Sequence, residues 1–571
     1  MVKQLVLLKS PAQFLRESEA GAGPGFTRSL GFFSLVMLGL GLVVGAGIFS
    51  VPGLAAARYA GPGIVYSFLI AGALCAVAGL CYAELAGLVP GAGSAYAYTY
   101  ASLGELPAWM VGWSLCLEYG LGAVLVSVAW SGYLGSLLQD TLGLALPDGL
   151  RLLTCGPLDT VRLSGGETAR GLWNLPATLL PGALTVLLAR GLRGGARLNN
   201  AIVATKLLII LVFVALGIGL VSREFLAADP AASGPLALVP PPEIVEGARR
   251  YGWGAGGVLT AVGVVFLAYI GFDAVSTAGL EARNPRRDVP RSILATIAVS
   301  TLLYVLVALV LTGTVPWRDL GREPLAQGID RIIGLRGWGP GAALSLALFV
   351  KAGALAGLTS GVLVTLMAQA RILFAMGRDG LLPGLGAVDA RMGGPRAATL
   401  LTGALVALAA GVLPLALLSE LVSIGTLLAF AVVCAAVPIL RRTRPLAERP
   451  FRIPAPGLLG PLGALTALAL MAHLPLGTWI RLGVWLYLGL AVYFVYGRRH
   501  SRIQAASGVT FGSPWSDACS LVVHASAVAA LAWGFHQGWH PLMLVFEGGL
   551  GFWSGLALVS NGTEGRAVNR A

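Results

Sequence analysis

The chain is short of charge. Only 11% of its 571 residues are Asp, Glu, Lys or Arg, against 56% hydrophobic, and its mean hydropathy is +0.81. That is too little polar surface for a set of soluble domains, so the composition specifies a polytopic membrane protein. Histidine is also scarce: the five residues (His473, His500, His524, His536, His540) all lie near the C-terminal end. There is no HExxH, no histidine cluster and no paired-aspartate motif, which argues against a membrane enzyme. The six cysteines (Cys75, Cys81, Cys116, Cys155, Cys434, Cys519) are scattered without a CxxC or a His-paired spacing, and read as small core residues. No cofactor and no metal is expected. Before residue 29 there are Lys3 and Lys9 but neither an uninterrupted apolar core nor a cleavage site, so no signal peptide is read and the first helix is retained.

What charge there is leans basic, with a formal net charge of +13. The arginines cluster between apolar runs, at Arg190, Arg193 and Arg197, at Arg283, Arg286, Arg287 and Arg291, and at Arg441, Arg442, Arg444, Arg449 and Arg452. These clusters occupy alternate connections, the pattern of positive-inside orientation and not of a nucleic-acid partner. With Lys3, Lys9, Arg16 and Arg28 they place the N-terminus and those loops in the cytoplasm of a multi-pass protein of the cell membrane, its partner being the lipid bilayer. At about 20 apolar residues per span, helices are expected near 29–56, 62–88, 106–138, 173–190, 199–221, 256–281, 292–315, 343–376, 397–418, 421–440, 458–476 and 479–497. Two weaker stretches follow, near 518–535 and 541–560. The expected organisation is a cytoplasmic segment 1–28, a transmembrane unit 29–501 and a C-terminal extension 502–571.

Glycine, in contrast, is abundant, at 79 residues. The first apolar segment contains Gly39-Leu40-Gly41-Leu42-Val43-Val44-Gly45-Ala46-Gly47-Ile48-Phe49. Consecutive small residues here predict a broken helix, and in hydrocarbon a break must line a polar cavity or be satisfied by protein. The competing reading is that Gly45 and Gly47 let another helix pack closely. The sixth segment carries a second interruption, in which five glycines (Gly252, Gly254, Gly256, Gly257 and Gly263) lead into Phe266-Leu267-Ala268-Tyr269-Ile270-Gly271-Phe272-Asp273. Two interrupted helices five spans apart are the expected mark of inverted repeats with a site at their interface.

Ionisable residues inside these spans are few. Glu118 has about ten apolar residues on either side, and an intramembrane acid so placed is a functional candidate, the alternative being a neutral carboxyl bonded to a neighbouring helix. Lys206, one of four lysines, lies among Ile202, Val203, Leu207 and Ile210. Burial disfavours its charged form, which suits a proton carrier or a stand-in for a sodium ion; snorkelling toward the helix end is the alternative. Lys351 reads as a snorkelling lysine and Glu84 as structural. Tyr96, Tyr98 and Tyr100, after the breaker cluster Val89-Pro90-Gly91-Ala92-Gly93-Ser94, read as an aromatic interfacial segment at headgroup level.

Several of these stretches, in order from about residue 25 to 501, together resemble the cationic amino acid transporter family of the amino acid–polyamine–organocation superfamily. They are Gly45-Ala46-Gly47-Ile48-Phe49, Cys81-Tyr82-Ala83-Glu84-Leu85, Phe266 to Asp273, Glu281-Ala282-Arg283-Asn284-Pro285, Gln369 to Pro383 and Tyr493-Phe494-Val495-Tyr496-Gly497. The resemblance implies an all-α, five-plus-five inverted-repeat transporter with broken first and sixth helices, twelve core helices and two further ones after residue 501. It implies that backbone at Val43, Gly45, Ala46, Gly47, Leu267 and Ile270 holds the carboxylate and amine of an amino acid, with Phe266 on the pocket wall. It also implies that Lys206 and Glu118 match a fifth-helix lysine and a third-helix glutamate of proton-coupled members, Lys206 for coupling and Glu118 at the substrate, and that Thr365 leaves room at the side-chain end. The helix pair inserted in the longer animal members is missing between Arg444 and Gly460. The implied function is secondary active transport of a cationic or small neutral amino acid, by proton coupling or exchange, against a channel or a non-transporting sensor.

Overall fold

In a bilayer each backbone N–H and C=O must find its partner within the protein, so long apolar runs become helices. The computed structural model describes residues 7–507, apart from 21–27, 50, 145, 164–166, 191–194, 230–231, 246–247, 255, 321–323, 390–393 and 473–475. The expected helices near 518–535 and 541–560 lie outside the described residues.

The described residues are mostly helical. A short helix α1 (Pro11–Ala20) precedes α2 (Phe32–Val43), which is followed after a break by α3 (Ala46–Phe49), a further turn of helix and then α4 (Ile64–Leu88). After them come α5 (Ala95–Ser102), α6 (Glu105–Ser136), α7 (Leu175–Ala189) and α8 (Gly195–Gly217). The second interrupted helix is α9 (Val258–Phe266) and α10 (Ala274–Thr277), and α11 (Pro285–Thr314) follows it. The remainder is α12 (Pro324–Arg336), α13 (Pro340–Arg378), α14 (Arg396–Val412), α15 (Leu415–Thr443), α16 (Pro456–Ala472) and α17 (Leu476–Val492). Seven helical stretches among the described residues are long and apolar enough to cross a membrane, and four shorter apolar helices (α2, α7, α14, α16) accompany them. Helix α12 was not foreseen. Neither were two small antiparallel hairpins in the long connections, Thr160–Arg162 with Thr168–Arg170 and Glu243–Val245 with Ala248–Arg250.

Helix α4 packs along α11, and α6 along α13 and α15. Small residues let these helices approach: a Cβ added at Gly79 of α4 would stand 2.3 Å from Ile297 Cδ1 of α11.

Buried ion pairs tie one end of the bundle. Glu84, 1% exposed, accepts from Arg441 Nε at 2.8 Å and Nη2 at 2.7 Å and from the Ile453 amide at 2.9 Å, and Arg449 Nε lies 3.3 Å away. Its role is therefore structural. Arg371 meets Glu281 through Nε and Nη2, both at 2.8 Å, and the chain beside Glu281 bridges to Leu30 just before α2. The tyrosines after α4 correct the sequence reading. Tyr96, Tyr98 and Tyr100 are all buried within the protein, where Tyr96 donates to Asp379 Oδ2 at 2.7 Å and Tyr100 to Glu105 Oε2 at 2.7 Å. Lys9 completes this cluster, buried 2.5 Å from Asp379 Oδ1 and over the Phe14 ring of α1. Lys351 donates to Ser136 Oγ at 2.9 Å.

Removing one partner of a buried pair leaves the other charge uncompensated, whereas an exposed pair is screened. Asp379→Ala is therefore expected to cost about 3–5 kcal/mol, while Glu448→Ala, whose pair with Arg286 is largely exposed, should cost under about 1 kcal/mol. Thermal unfolding in detergent checks the contrast; equal losses would show that burial does not govern these pairs.

Candidate functional site

The first break begins where α2 ends. Val44 leaves helical geometry (φ −81°, ψ 69°), and the Gly45 amide turns back to the Val43 carbonyl at 2.9 Å instead of reaching Gly41. The Gly41 carbonyl is thereby freed. Lys206 Nζ of α8 donates to it at 2.7 Å and also to Ser360 Oγ of α13 at 3.1 Å, and the Ser360 hydroxyl is itself 3.1 Å from the same carbonyl. Lys206 is 0% exposed, so it does not snorkel. It serves as a cap from a neighbouring helix.

The second break faces the first. After α9 the chain makes a 3₁₀ turn at Leu267–Tyr269 and passes through Ile270 and Gly271 before α10. Gly271 has φ +117°, and a Cβ there would stand 2.4 Å from Leu42 Cγ. A Cβ at Gly47 would lie 2.7 Å from both Cα and Cβ of Ala268. For the Gly47 side-chain direction the close-packing reading therefore holds, and the space there is filled by the second break. Gly45 differs: within 4 Å its added Cβ would meet only the Leu42 carbonyl oxygen of its own segment. The backbone of Ala46 and Leu267 sits in these two breaks; their side chains lie outside the described ones.

The Tyr304 hydroxyl of α11 joins the breaks, 2.6 Å from the Val43 carbonyl and 2.7 Å from that of Ala268. Sequence reading missed Tyr304 and Ser360. The only signal for Tyr304 was a lone polar tip in the run Leu302-Leu303-Tyr304-Val305-Leu306.

On α6, Glu118 is 2% exposed and neither carboxyl oxygen meets a hydrogen-bond partner of good geometry among the described residues, although Thr426 lies beside it on α15. Asp273, at the end of the second break, is 0% exposed; its Oδ2 accepts from Tyr119 at 2.5 Å, while Oδ1 meets no partner of good geometry among the described residues. Sequence reading noted Asp273 as a mid-span acid without giving it a role. Thr365 of α13 is buried, with its methyl carbon 3.7 Å from where a Cβ on Gly122 of α6 would lie, one turn along α6 from Glu118. One turn along α13, Gln369 donates to the Cys116 carbonyl at 3.1 Å, with Oε1 unpartnered. Phe266 packs edge-on against Phe430 of α15 at 6.0 Å between centroids.

The structure thus brings Val43, Gly45, Gly47 and the second break into one locus with Lys206 attached through Gly41. Glu118 and Thr365 sit on the facing pair α6 and α13. Such an arrangement offers freed backbone groups in a dry interior, which suits a small zwitterion.

Comparison with known proteins agrees. Residues 30–497 match the model of a family described as amino acid permease. The chain is 38% identical to the branched-chain amino acid permease BcaP of Bacillus subtilis (strain 168) over 515 residues, 88% of this chain and 100% of that protein. It is 38% identical to the methylthioribose transporter of the same organism over 495 residues, 86% and 98% of the two chains. Human cationic amino acid transporter 4 is 33% identical over 445 residues, covering 76% of this chain and 62% of that one. With a family model spanning most of its length and relatives matched end to end, the chain belongs to the amino acid permease family.

Proposed function

We propose that this permease is a secondary active transporter of the cell membrane that carries an amino acid by alternating access, with its N-terminus in the cytoplasm and a five-plus-five inverted-repeat core spanning about 29–501. The observation that carries the reading is the pair of abutting helix breaks, with Gly47 against Ala268 and Leu42 against Gly271. Amides at Ala46 and Gly47, at the N-terminal end of α3 and beside Gly45, whose own amide is on the Val43 carbonyl, suit the substrate's carboxylate; carbonyls at Val43, Leu267 and Ile270 suit its ammonium. Lys206 is the coupling residue, because it binds the Gly41 carbonyl that the break in the first helix leaves without its amide partner. Proton movement through Lys206, or substrate exchange with Lys206 as a fixed cap, are the two modes to be separated.

The leading substrate class is a neutral, apolar amino acid whose side chain lies against Val43, Val44, Phe266 and Ile270, with Thr365 setting the room beyond. A second reading, a cationic amino acid, is favoured by one observation: Glu118 is a buried carboxyl without a cation partner among the described residues. Relatives named for branched-chain and for cationic amino acids support one reading each.

Radiolabelled uptake into proteoliposomes tests the function, since a channel, an enzyme and a sensor would all fail to concentrate an amino acid. Lys206→Ala is expected to lower pH-gradient-driven uptake roughly tenfold or more, about 1.4 kcal/mol of barrier or above, while binding persists because Ser360 still reaches Gly41. Uptake at the parent rate would remove Lys206 from the coupling step.

Gly45→Val and Gly47→Val should fail differently. The first meets the Leu42 carbonyl of its own segment at 3.2 Å and no other element among the described residues, and is expected to abolish equilibrium binding with the smaller loss of stability. The second collides with Ala268 and is expected to destabilise the fold by about 1–3 kcal/mol. Equal loss of stability in both would place Gly45 in packing as well. Substrate class is read by competition: under the neutral reading leucine or serine displaces bound alanine while a hundredfold excess of arginine or lysine does not, and displacement by arginine selects the cationic reading.

A further inference from the structure

The proposed transport cycle has a problem that the site geometry raises directly. When no substrate is bound, buried carbonyls that the breaks free, that of Val43 among them, need donors from elsewhere. The Val43 and Ala268 carbonyls, one from each break, converge on a single oxygen, the Tyr304 hydroxyl, at 2.6 Å and 2.7 Å. Tyr304 is 0% exposed, and its ring is fixed between Phe68 and Tyr269, each 5.1 Å away by centroid. The Tyr269 hydroxyl is turned away, donating to the Phe68 carbonyl at 2.9 Å.

A phenol has one proton to donate, and here two carbonyl oxygens lie within bonding distance of it. The Val43 carbonyl has a second donor, the Gly45 amide at 2.9 Å. The Gly45 amide and the Tyr304 hydroxyl thus give the two carbonyls one donor each, and the hydroxyl alone lies within reach of both. Two carbonyls from different breaks within reach of one donor atom is also the spacing that a single ammonium, with three donors, would satisfy.

We propose that the Tyr304 hydroxyl is the empty carrier's substitute for the substrate's ammonium. It holds the Val43 and Ala268 carbonyls together when no amino acid is present, so that the two breaks stay in register and the unloaded protein can reorient. Tyr304 is in this sense a positioning residue of α11: it acts through backbone carbonyls that the substrate takes over on binding. The inference rests on the transporter reading above and adds to it a residue outside both broken helices.

Two transport modes separate this role from a merely structural one. Exchange never requires the empty carrier to reorient, whereas net uptake does. Full-length protein in proteoliposomes is loaded with an unlabelled equimolar mixture of alanine, leucine and arginine for exchange, or left without amino acid for net uptake. Entry of the same mixture, radiolabelled, is then followed. For Tyr304→Phe, exchange is expected to stay within about twofold of the parent while net uptake falls roughly tenfold or more, a barrier increase of about 1.4 kcal/mol. Replacing Tyr304 with 3-fluorotyrosine, a stronger donor of nearly the same shape, is expected to do the reverse. It should preserve net uptake and weaken apparent substrate affinity a few-fold, because the substrate must displace a firmer bond. This second variant keeps the test open should the phenylalanine variant fail to fold. Parallel loss of exchange and net uptake in a folded Tyr304→Phe protein, parent-like behaviour in both modes, or no change in affinity with fluorotyrosine would each overturn the proposal while leaving the transporter reading intact. Absence of any uptake by the parent protein would instead overturn the transporter reading itself.

Discussion

A peptide carbonyl that loses its helical partner inside hydrocarbon must be met by a donor from the protein, and the centre of this molecule is arranged around that need. Three helices answer it. Lys206 on α8 and Ser360 on α13 meet the Gly41 carbonyl, and Tyr304 on α11 meets those of Val43 and Ala268. None of these side chains has a reason to point inward if the first and sixth helices run unbroken. The breaks therefore hold α8, α11 and α13 in register as much as those helices hold the breaks, and a tilt of α2 must exchange one set of partners for another instead of stretching all of them. A discrete change of partners is what a two-state carrier requires of its core.

How much of this was legible follows from which signals are local. Hydropathy placed the main spans because an apolar run of sufficient length has few alternatives. Glycine placed both breaks because it marks where the backbone is free to leave a helix. Direction is another matter. Gly45 and Gly47 are the same residue two positions apart, yet one faces Ala268 of the second break and the other, among the described residues, only the Leu42 carbonyl of its own segment. Only tertiary placement distinguishes them. Ser360 and Tyr304 were illegible for a related reason: hydroxyls in membrane helices commonly bond a carbonyl of their own preceding turn, so a single one in an apolar run carries little information.

The tyrosines after α4 show the opposite failure, where a pattern was visible but had two meanings. A ring with a polar tip suits a membrane interface, and it suits equally a buried site where the tip finds a carboxylate. Tyr96 and Tyr100 found Asp379 and Glu105. Asp379 is distant in sequence from Tyr96, and Glu105, though near Tyr100, lies beyond the helix end, so the second meaning was hidden until the chain was folded.

The acids themselves divide into two groups. Glu84, Glu281 and Asp379 are each paired with a cation, and Glu105 is surrounded by hydroxyl and amide donors. Glu118 and Asp273 are as deeply buried, but Glu118 lacks a well-placed partner for either oxygen and Asp273 for one. An uncompensated carboxylate in such surroundings costs several kcal/mol, so it is discharged by a proton or matched by a cation. Under the neutral-substrate reading that partner is a proton, and the acids belong to coupling. Under the cationic reading it is the substrate's own side chain, and the same acids belong to specificity. Asp273 ends the very break that contains Ala268, so either partner acts on the backbone proposed to receive the ammonium. What the protein carries and what drives it are therefore one electrostatic question, asked at Glu118 and Asp273.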